Sequence, residues 1–271
     1  MMYSKKITAV LLAIVVVAST AAIFNQINIK GAFAETVKQN VVYTKEDTST
    51  ASKEDGTGTV SGADKEAYKE KSLDILKKCF NISIEENENF EFIPSILNER
   101  TLDETKPKEQ KEIQDMYDNK EISKEEYDKR MDYVEENTSG LKDRVAKLKH
   151  GMVQTVWFKD NKCYMLDFNE NTKEVDFVLV VEGDYNESDV PLSISEDQLK
   201  NTAEDFIKQN KLEDIESPKC ILVKGKRVFY QDENDSSKKV EVGINRFTGK
   251  VSSFSVKAYA DFEYNRAIND K

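Results

Sequence analysis

The chain has 271 residues and carries 40 Lys and Arg against 51 Asp and Glu, which gives a formal net charge of −11. A surface this acidic repels phosphate backbones and therefore disfavours a nucleic-acid partner. Hydrophobic residues make up 38% of the chain, and 13 Phe, 11 Tyr and one Trp supply enough apolar surface for a modest core. Only four Pro and ten Gly are present, which excludes collagen-like and proline-rich architectures.

The N-terminus has the pattern of an export signal. Lys5 and Lys6 precede an apolar run from Ile7 to Phe24, and the small-x-small tripeptide Ala32-Phe33-Ala34 follows. This order is typical of a secretory signal over residues 1–34, with Ala32 and Ala34 at the cleavage site. The apolar run would also reach about 27 Å as a helix, so retention as a membrane anchor stays open. Both alternatives predict that the remainder of the chain lies on the extracellular face.

Residues 35–63 predict a flexible stalk. The stretch from Thr44 to Asp64 is rich in Ser, Thr, Gly and charged residues and lacks large apolar side chains. Such a composition cannot bury a core. We therefore expect the folded part of the chain to begin near residue 64.

The rest of the chain contains an internal sequence repeat with an offset of 76 residues. Lys162–Val181 and Lys238–Lys257 align without a gap. The identical pairs are Lys162/Lys238, Asn169/Asn245, Thr172/Thr248, Val175/Val251 and Val180/Val256. Each copy predicts a β-hairpin that turns at Asn-x-x-Thr. Gly249 can adopt a positive φ in the second turn, whereas Lys173 stands in its place in the first, which predicts a turn of another type there.

Each hairpin is preceded by a strand-like run and, before that, by a helix. The strand-like runs are Met152–Phe158 and Ile221–Tyr230. One helix is predicted over Ala63–Phe80, and the other begins at the capping box Ser195–Gln198. The sequence thus predicts an α+β protein of tandem units, each a helix with a three-stranded antiparallel sheet, over residues 64–190 and 191–271.

The first unit carries a helical insertion over about residues 91–150. Phe90–Ile93 has the composition of an extra strand, and the charged stretch Lys106–Lys149 predicts two or three helices with narrow apolar faces. Ser123–Glu126 has the form of a capping box within it. We expect these helices to pack on the first unit or on a partner.

The second unit resembles the PepSY domain, a module found in peptidase propeptides and in a spore-germination protein. The resemblance is carried by the helix Glu196–Lys211, the strand Arg227–Tyr230 and the stretch Val240–Val251, with its Thr248-Gly249 pair. The first copy matches only in its hairpin. The resemblance implies an extracellular, non-catalytic module with a protein partner in the cell envelope, such as a peptidase. Met116–Tyr127 is also similar to the short helical SHOCT segment.

Residues with catalytic potential are few. His150 is the only histidine, and its place after a charged helix favours helix capping or surface exposure over catalysis. Cys79, Cys163 and Cys220 are too far apart for a structural zinc site, and they predict buried thiols or one disulfide with a leftover thiol.

Two loops have partial ligand-binding patterns. Asp167-x-Asn169-x-Asn171 has three positions of a calcium loop but lacks the glycine and the terminal glutamate, so turn chemistry explains it better. The loop from Gly243 to Lys250 fails the phosphate-loop pattern in its spacing and in its missing Ser or Thr. We therefore predict no metal and no cofactor.

The acidic clusters favour solvated surface over acid–base catalysis, because each lies in a polar run. They are Glu85–Glu88, Glu135-Glu136 and Asp232–Asp235. The leading hypothesis is an exported, envelope-associated, non-enzymatic binding module that modulates an extracellular peptidase. The alternatives are a structural spore or cell-surface component and an extracellular hydrolase that acts through carboxylates. The hydrolase requires a pocket with two acids of raised pKa.

Overall fold

The computed structural model describes residues 60, 62–85, 89–183 and 192–269. The helices are α1 (Gly62–Phe80), α2 (Glu99–Asp118), α3 (Lys124–Leu148), α4 (Glu196–Asn210) and α5 (Lys257–Asn269). The strands are β1 (Glu91–Leu97), β2 (Met152–Lys159), β3 (Lys162–Asn169), β4 (Val175–Val181), β5 (Pro218–Lys224), β6 (Arg227–Asp232), β7 (Lys239–Ile244) and β8 (Val251–Val256). The segment 1–34, with Ala32 and Ala34, lies outside these ranges. Within them, every helix is too short or too polar to cross a bilayer.

All eight strands form one antiparallel sheet in the order β1-β2-β3-β4-β8-β7-β6-β5. The predicted α+β class is confirmed. The last strand of each predicted unit meets the other at the centre of the sheet, where Val178 lies opposite Phe254. Strands β1 and β5 are the two edges.

The prediction of a single strand over Ile221–Tyr230 is wrong. The chain reverses after Lys224, and β5 pairs with β6 as a hairpin closed by a loop of Gly225 and Lys226. Gly225 has φ +61°, a conformation that costs glycine nothing and that suits the first position of a tight hairpin loop. The expected extra strand near Phe90 is confirmed as β1. The sheet therefore has eight strands: the six of the two predicted units, β1, and the strand gained by the division into β5 and β6.

The two Asn-x-x-Thr turns have matching hydrogen bonds. In each turn the Asn Oδ1 accepts from the backbone N–H groups two and three residues later. The donors are Asn171 and Thr172 at 2.9 and 3.1 Å from Asn169, and Phe247 and Thr248 at 2.8 and 3.2 Å from Asn245. The predicted β-hairpins, β3–β4 and β7–β8, therefore close by the same asparagine-centred turn.

The prediction of a different turn type in the first hairpin is wrong. Lys173 has φ +58° and Gly249 has φ +69°, so the lysine adopts the left-handed conformation of the glycine. Its backbone N–H donates to the carbonyl of Asn169 at 2.9 Å, as that of Gly249 does to Asn245 at 2.8 Å. The hydrogen bonds to the asparagine Oδ1 therefore accompany a left-handed backbone at the residue after Thr, even where that residue, Lys173, carries a Cβ.

Helices α1 and α4 cover one face of the sheet. The indole Nε1 of Trp157 donates to Ser72 Oγ of α1 at 2.9 Å, and Phe206 of α4 lies 5.8 Å from the ring of Phe254. The predicted capping box at the start of α4 is confirmed, because Ser195 and Gln198 exchange both hydrogen bonds. Trp157 is buried and belongs to the core.

Helix α5 packs on the opposite face. Phe177 neighbours Val178 in β4, so its side chain points away from α1 and α4. Its ring stacks on Tyr259 of α5 with a centroid distance of 4.9 Å and an interplanar angle of 8°. The sheet is therefore covered on both faces, and several strands are buried along nearly their whole length.

The chain divides into two compact units, one of residues 95–143 and the other of residues 60–94 and 144–271. The first is helical and corresponds to most of the predicted insertion. Within it, Tyr127 Oη donates to Gln114 Oε1 at 2.8 Å, and Lys106 pairs with Glu135 at 2.6 Å, so α2 and α3 form an antiparallel hairpin. Ser123 caps α3, accepting from the N–H of Glu126 at 3.2 Å.

Candidate functional site

The face of the sheet beneath α5 holds a buried charge cluster. Its members are Arg144, Asp167, Arg227, Glu241 and Glu263. These residues come from α3, β3, β6, β7 and α5. Charged side chains are rarely buried unless they are paired, so each contact in this cluster matters.

One half of the cluster is centred on Arg227. Its guanidinium lies 2.8 Å from Glu263 Oε2 and 3.5 Å from Glu241 Oε1. Ser255 Oγ donates to the second oxygen of Glu241 at 2.8 Å. One arginine thus joins a strand carboxylate and a helix carboxylate, which ties α5 to the sheet.

The other half is centred on Asp167. Its carboxylate accepts from Gln154 Nε2 at 2.9 Å and from Tyr259 Oη at 3.3 Å. The guanidinium of Arg144 lies over the ring of Tyr259, 5.2 Å from its centroid. Tyr259 therefore connects α5 to both Asp167 and Arg144.

Burial raises the pKa of the two strand carboxyls. For Asp167, desolvation outweighs the lowering effects of Arg144 and of the Gln154 and Tyr259 hydrogen bonds. For Glu241, desolvation and the nearby charge of Glu263 raise the pKa, and Arg227 offsets part of this effect. The cluster therefore favours uptake of a proton near neutral pH.

Every member of the cluster is buried. Arg227 pairs with Glu241 and Glu263, and Asp167 is hydrogen-bonded to Gln154 and Tyr259. Asp167 and Glu241 have the raised pKa values expected of acid–base groups, but α5 covers them. The arrangement can anchor α5 and can store a proton. In the sequence the signal for it was a charged residue inside an apolar strand, as in Met165-Leu-Asp-Phe168 and Val240-Glu-Val242.

A groove of about 580 Å³ lies on the other face, above the junction of β4 and β8. Apolar side chains from α1 and the sheet line it, among them Ile75, Phe168, Val175, Phe254 and Val256. Lysines and acids from α1, the first hairpin turn and the segment after α4 complete the lining. This volume is in the range of small-molecule sites.

Four residues of the groove lining have left-handed backbone conformations. They are Lys173, Lys211, Glu213 and Lys257, with φ between +51° and +58°. Conformations of this kind cost energy in residues other than glycine, and they occur often at functional sites. Here each has a local structural reason, because each residue lies in a turn or at a helix end.

Two acids of the groove differ in their pKa. Burial raises the pKa of Glu213, whereas the hydrogen bond from Lys257 lowers that of Glu174. Lys257 Nζ lies 2.5 Å from the Glu174 carboxylate, so this acid is held in its ionised form. The hydrolase alternative stays a prediction.

The edge strand β5 is the most open part of the sheet. Six of the eight strands lie between two neighbours, and β5 pairs only with β6. Five of its seven residues, Ile221 among them, are half-buried, while Lys219 and Lys224 are exposed. Ile221 is skipped in the pairing with β6, where the register shifts. An edge with unpaired backbone groups is a template for an added strand.

The opposite edge is protected. Strand β1 carries Pro94 at its centre, and proline has no N–H group to donate to an added strand. Of the two edges, β5 is therefore better suited to bind a partner.

His150 is largely buried, with 11% of its side chain exposed. Its Nε2 lies 3.5 Å from Asp176 Oδ2, and its Nδ1 lies 2.9 Å from the carbonyl of Gly151. Of the two predicted alternatives, helix capping and surface exposure, the second is wrong, because the chain folds back at Gly151 and places the ring against β4. Burial raises the pKa of Asp176 to about 6, against a lowering by His150. No local pattern in the sequence pointed to this carboxylate.

The three cysteines are free thiols. Cys163 is buried, and Cys79 and Cys220 are half-buried. Burial raises the pKa of Cys163 to about 12 and raises those of the other two thiols as well. All three are therefore protonated and weakly nucleophilic at neutral pH.

Within the described ranges, the residues of the calcium-like pattern and of the acidic clusters have structural roles. Asn169 makes the turn described above, and Asp167 belongs to the buried charge cluster. Asp232 accepts from the N–H groups of Glu216 and Asn234 at 2.8 and 2.7 Å. Its backbone hydrogen bonds lower its pKa. Glu135 pairs with Lys106 at the surface of the helical hairpin. In the first acidic cluster, residues 86–88 lie outside the described ranges.

Comparison of the chain with family models, with curated proteins and with solved structures finds no match.

Proposed function

We propose that this chain is an exported, envelope-associated, non-enzymatic binding module and that a protein partner docks on the edge strand β5. The observation that carries the proposal is the combination of an open edge with half-buried apolar residues at β5 and a proline at the other edge. Added strands bind through main-chain hydrogen bonds and gain specificity from side-chain contacts.

We further propose that the sheet consists of two tandem PepSY-like units. The mirrored strand order about the β4–β8 junction supports this, as do the matching turns at Asn169 and Asn245. In this proposal each unit is a helix followed by four strands, α1 with β1–β4 over 64–190 and α4 with β5–β8 over 191–271. The helical hairpin α2–α3 is then an insertion between the first two strands of the first unit.

The buried charge cluster supports a binding role over catalysis, because its acids of raised pKa, Asp167 and Glu241, lie beneath α5. The predicted signal at residues 1–34 places the partner in the cell envelope, and the PepSY resemblance suggests a peptidase.

The experiment is capture of envelope proteins by the full chain and by an Ile221→Asp variant. Ile221 is suited to this change because it is half-buried and has no partner on β6, so the sheet itself is spared. We expect stoichiometric capture of one envelope protein by the full chain and its loss in the variant.

The matched control is Ile268→Asp, which places the same charge at an apolar residue of α5 that is 51% exposed. It should leave capture intact. Equal capture by both variants would refute docking at β5, and incorporation of the chain into an insoluble layer without a soluble partner would favour the structural alternative.

A further inference from the structure

The ring of His150 is oriented by a backbone carbonyl. Its Nδ1 lies 2.9 Å from the carbonyl oxygen of Gly151, and a carbonyl can only accept a hydrogen bond. In the neutral ring the proton is therefore on Nδ1, and Nε2 carries a lone pair. The same carbonyl accepts from the backbone N–H of Glu170 at 2.9 Å, which ties the segment after α3 to the turn after β3.

The other ring nitrogen of His150 faces Asp176 of β4. Nε2 lies 3.5 Å from Asp176 Oδ2, and the two side chains are only 11% and 3% exposed. Within the described ranges, this carboxylate oxygen has no hydrogen-bond partner. Two acceptors thus face each other in a buried site, where an acceptor without a donor costs free energy. A proton on Nε2 would satisfy both groups.

The charges around Asp176 come from several elements. Burial has the largest effect on the pKa of Asp176 and raises it to about 6. The neighbouring groups are His150 after α3 and Lys257 at the start of α5, which lower this pKa, and Asp167 of β3 and Glu213 after α4, which raise it. Because the pKa is raised on folding, the contribution of this proton to stability is lost as the pH rises through about 6.

The residue before His150 has a strained backbone. Lys149 follows the last residue of α3 and has φ +62°, a left-handed conformation that is unfavourable for a residue with a Cβ. Its N–H donates to the carbonyl of Val145 at 3.0 Å, so it still closes the last turn of the helix. Strained conformations persist where neighbouring contacts enforce them. The next contacts along the chain are those of His150 and Gly151.

We propose that the proton between His150 Nε2 and Asp176 Oδ2 is a latch that holds the end of α3 against the sheet and opens as the pH rises. In acid, Nε2–H donates to the carboxyl group. When the proton leaves to solvent, the lone pair of Nε2 faces the carboxylate, and Lys149–Gly151 is released from β4. The inference concerns the α5 face of the sheet and is independent of docking at β5.

The test is amide hydrogen exchange of the full chain at pH 5.5 and pH 8, with each rate divided by the intrinsic rate at that pH. The amides of Lys149 and Glu170 report on the latch, because their hydrogen bonds hold the segment around His150. The amides of β8 report on global unfolding. Between the two pH values, we expect protection at the two reporter amides to fall about tenfold more than protection at β8.

Asp176→Asn separates the shared proton from a general effect of pH. The asparagine amide can donate to Nε2 at either pH, so the latch should stay closed. Protection of the reporter amides, relative to β8, should then be the same at pH 5.5 and pH 8. The matched control is Asp160→Asn, which makes the same change at an exposed acid between β2 and β3 and should behave as the unaltered chain.

A second measurement needs no variant. Because His150 is the only histidine, its ring nitrogens each give one nuclear magnetic resonance signal. At pH 5.5 we expect a slowly exchanging N–H signal on Nε2 that disappears by pH 8. Absence of this signal at pH 5.5, equal protection at both pH values in the unaltered chain, or an undiminished loss in Asp176→Asn would each overturn the latch. None of these results bears on the capture experiment at β5.

Discussion

Arg227 and Glu263 form a buried ion pair with 2.8 Å between guanidinium nitrogen and carboxylate oxygen, and this pair joins β6 to α5 across 36 residues of sequence. Glu241 shares the same arginine at 3.5 Å. Breaking such a pair leaves a buried charge without a partner, which costs far more than an intact pair contributes. The position of α5 on the sheet therefore depends on these charges.

We expect Glu263→Ala to lower the free energy of unfolding by about 3 kcal/mol, because Arg227 would keep its charge inside the protein with only the more distant carboxylate of Glu241 beside it. Urea unfolding followed by circular dichroism measures the change. The control is Glu135→Ala, which removes the exposed partner of Lys106 at 2.6 Å and should cost less than about 1 kcal/mol. A similar loss in the two variants would show that the cluster does not anchor α5.

The stability of the protein should fall as the pH rises towards neutrality. The folded-state pKa of Glu241 lies above its unfolded value, so the folded protein holds the proton more tightly and loses this advantage as the pH passes upward through the folded pKa. Asp176, with a pKa of about 6, acts in the same direction. We expect a lower free energy of unfolding at pH 8 than at pH 5.5.

In Glu241→Gln the side chain stays neutral, so the difference between pH 5.5 and pH 8 should shrink by at least about 1 kcal/mol. Urea titrations of both proteins at the two pH values provide the measurement. An unchanged pH dependence in the variant would rule out Glu241 as the group responsible.

Both Asn-x-x-Thr turns should favour glycine over alanine at the residue with positive φ. Lys173→Gly should be more stable than Lys173→Ala by about 1 kcal/mol, because only glycine adopts φ +58° without strain. The alanine variant is the reference since it also removes the lysine side chain, which pairs with Asp64.

Gly249→Ala should lose about 1 kcal/mol for the same reason. A Cβ there would lie 3.7 Å from Leu192 and 3.8 Å from Ile194, which are ordinary contacts, so the loss would reflect backbone conformation alone. Thermal unfolding of the three variants gives the comparison. Stabilisation by alanine at either position would contradict the shared turn.

Trp157 reports on the packing of α1. Its indole N–H donates to Ser72 Oγ at 2.9 Å, and both groups are buried. Ser72→Ala leaves this donor without its partner and should cost about 1–3 kcal/mol. Because Trp157 is the only tryptophan, a change in its fluorescence should accompany the loss. The control is Ser193→Ala, which makes the same change at an exposed serine.

The export proposal predicts Glu35 as the first residue of the mature chain. N-terminal sequencing and intact mass of the exported protein would show removal of residues 1–34, and Ala34→Arg should block it because the peptidase requires a small residue. A full-length chain held in the membrane fraction would support the anchor alternative.

The sequence by itself determined the local elements of this protein. The 76-residue repeat predicted both hairpins, the helical periodicity predicted α1 and the charged helices, and the Ser195 and Ser123 caps marked helix starts that the structure confirms. These features depend on neighbouring residues and on hydrogen bonds within a few positions, so they can be read without knowledge of the fold. The wrong prediction for the turn at Lys173 also concerned a local feature. It relied on the preference of positive φ for glycine and neglected the asparagine hydrogen bonds of the same turn.

Only the tertiary structure decided how these elements meet. Nothing local to β4 or β8 indicates that the two strands pair, and this pairing leaves β5 and β1 as the edges. Likewise Asp167, Glu241 and Glu263 are ordinary acids in a chain that has 51 of them, until the sheet and α5 bury them around Arg144 and Arg227. Burial, ion pairing and edge exposure are set by contacts between residues distant in sequence. A local pattern can mark a charged residue inside an apolar strand, but it does not identify the partner of that residue.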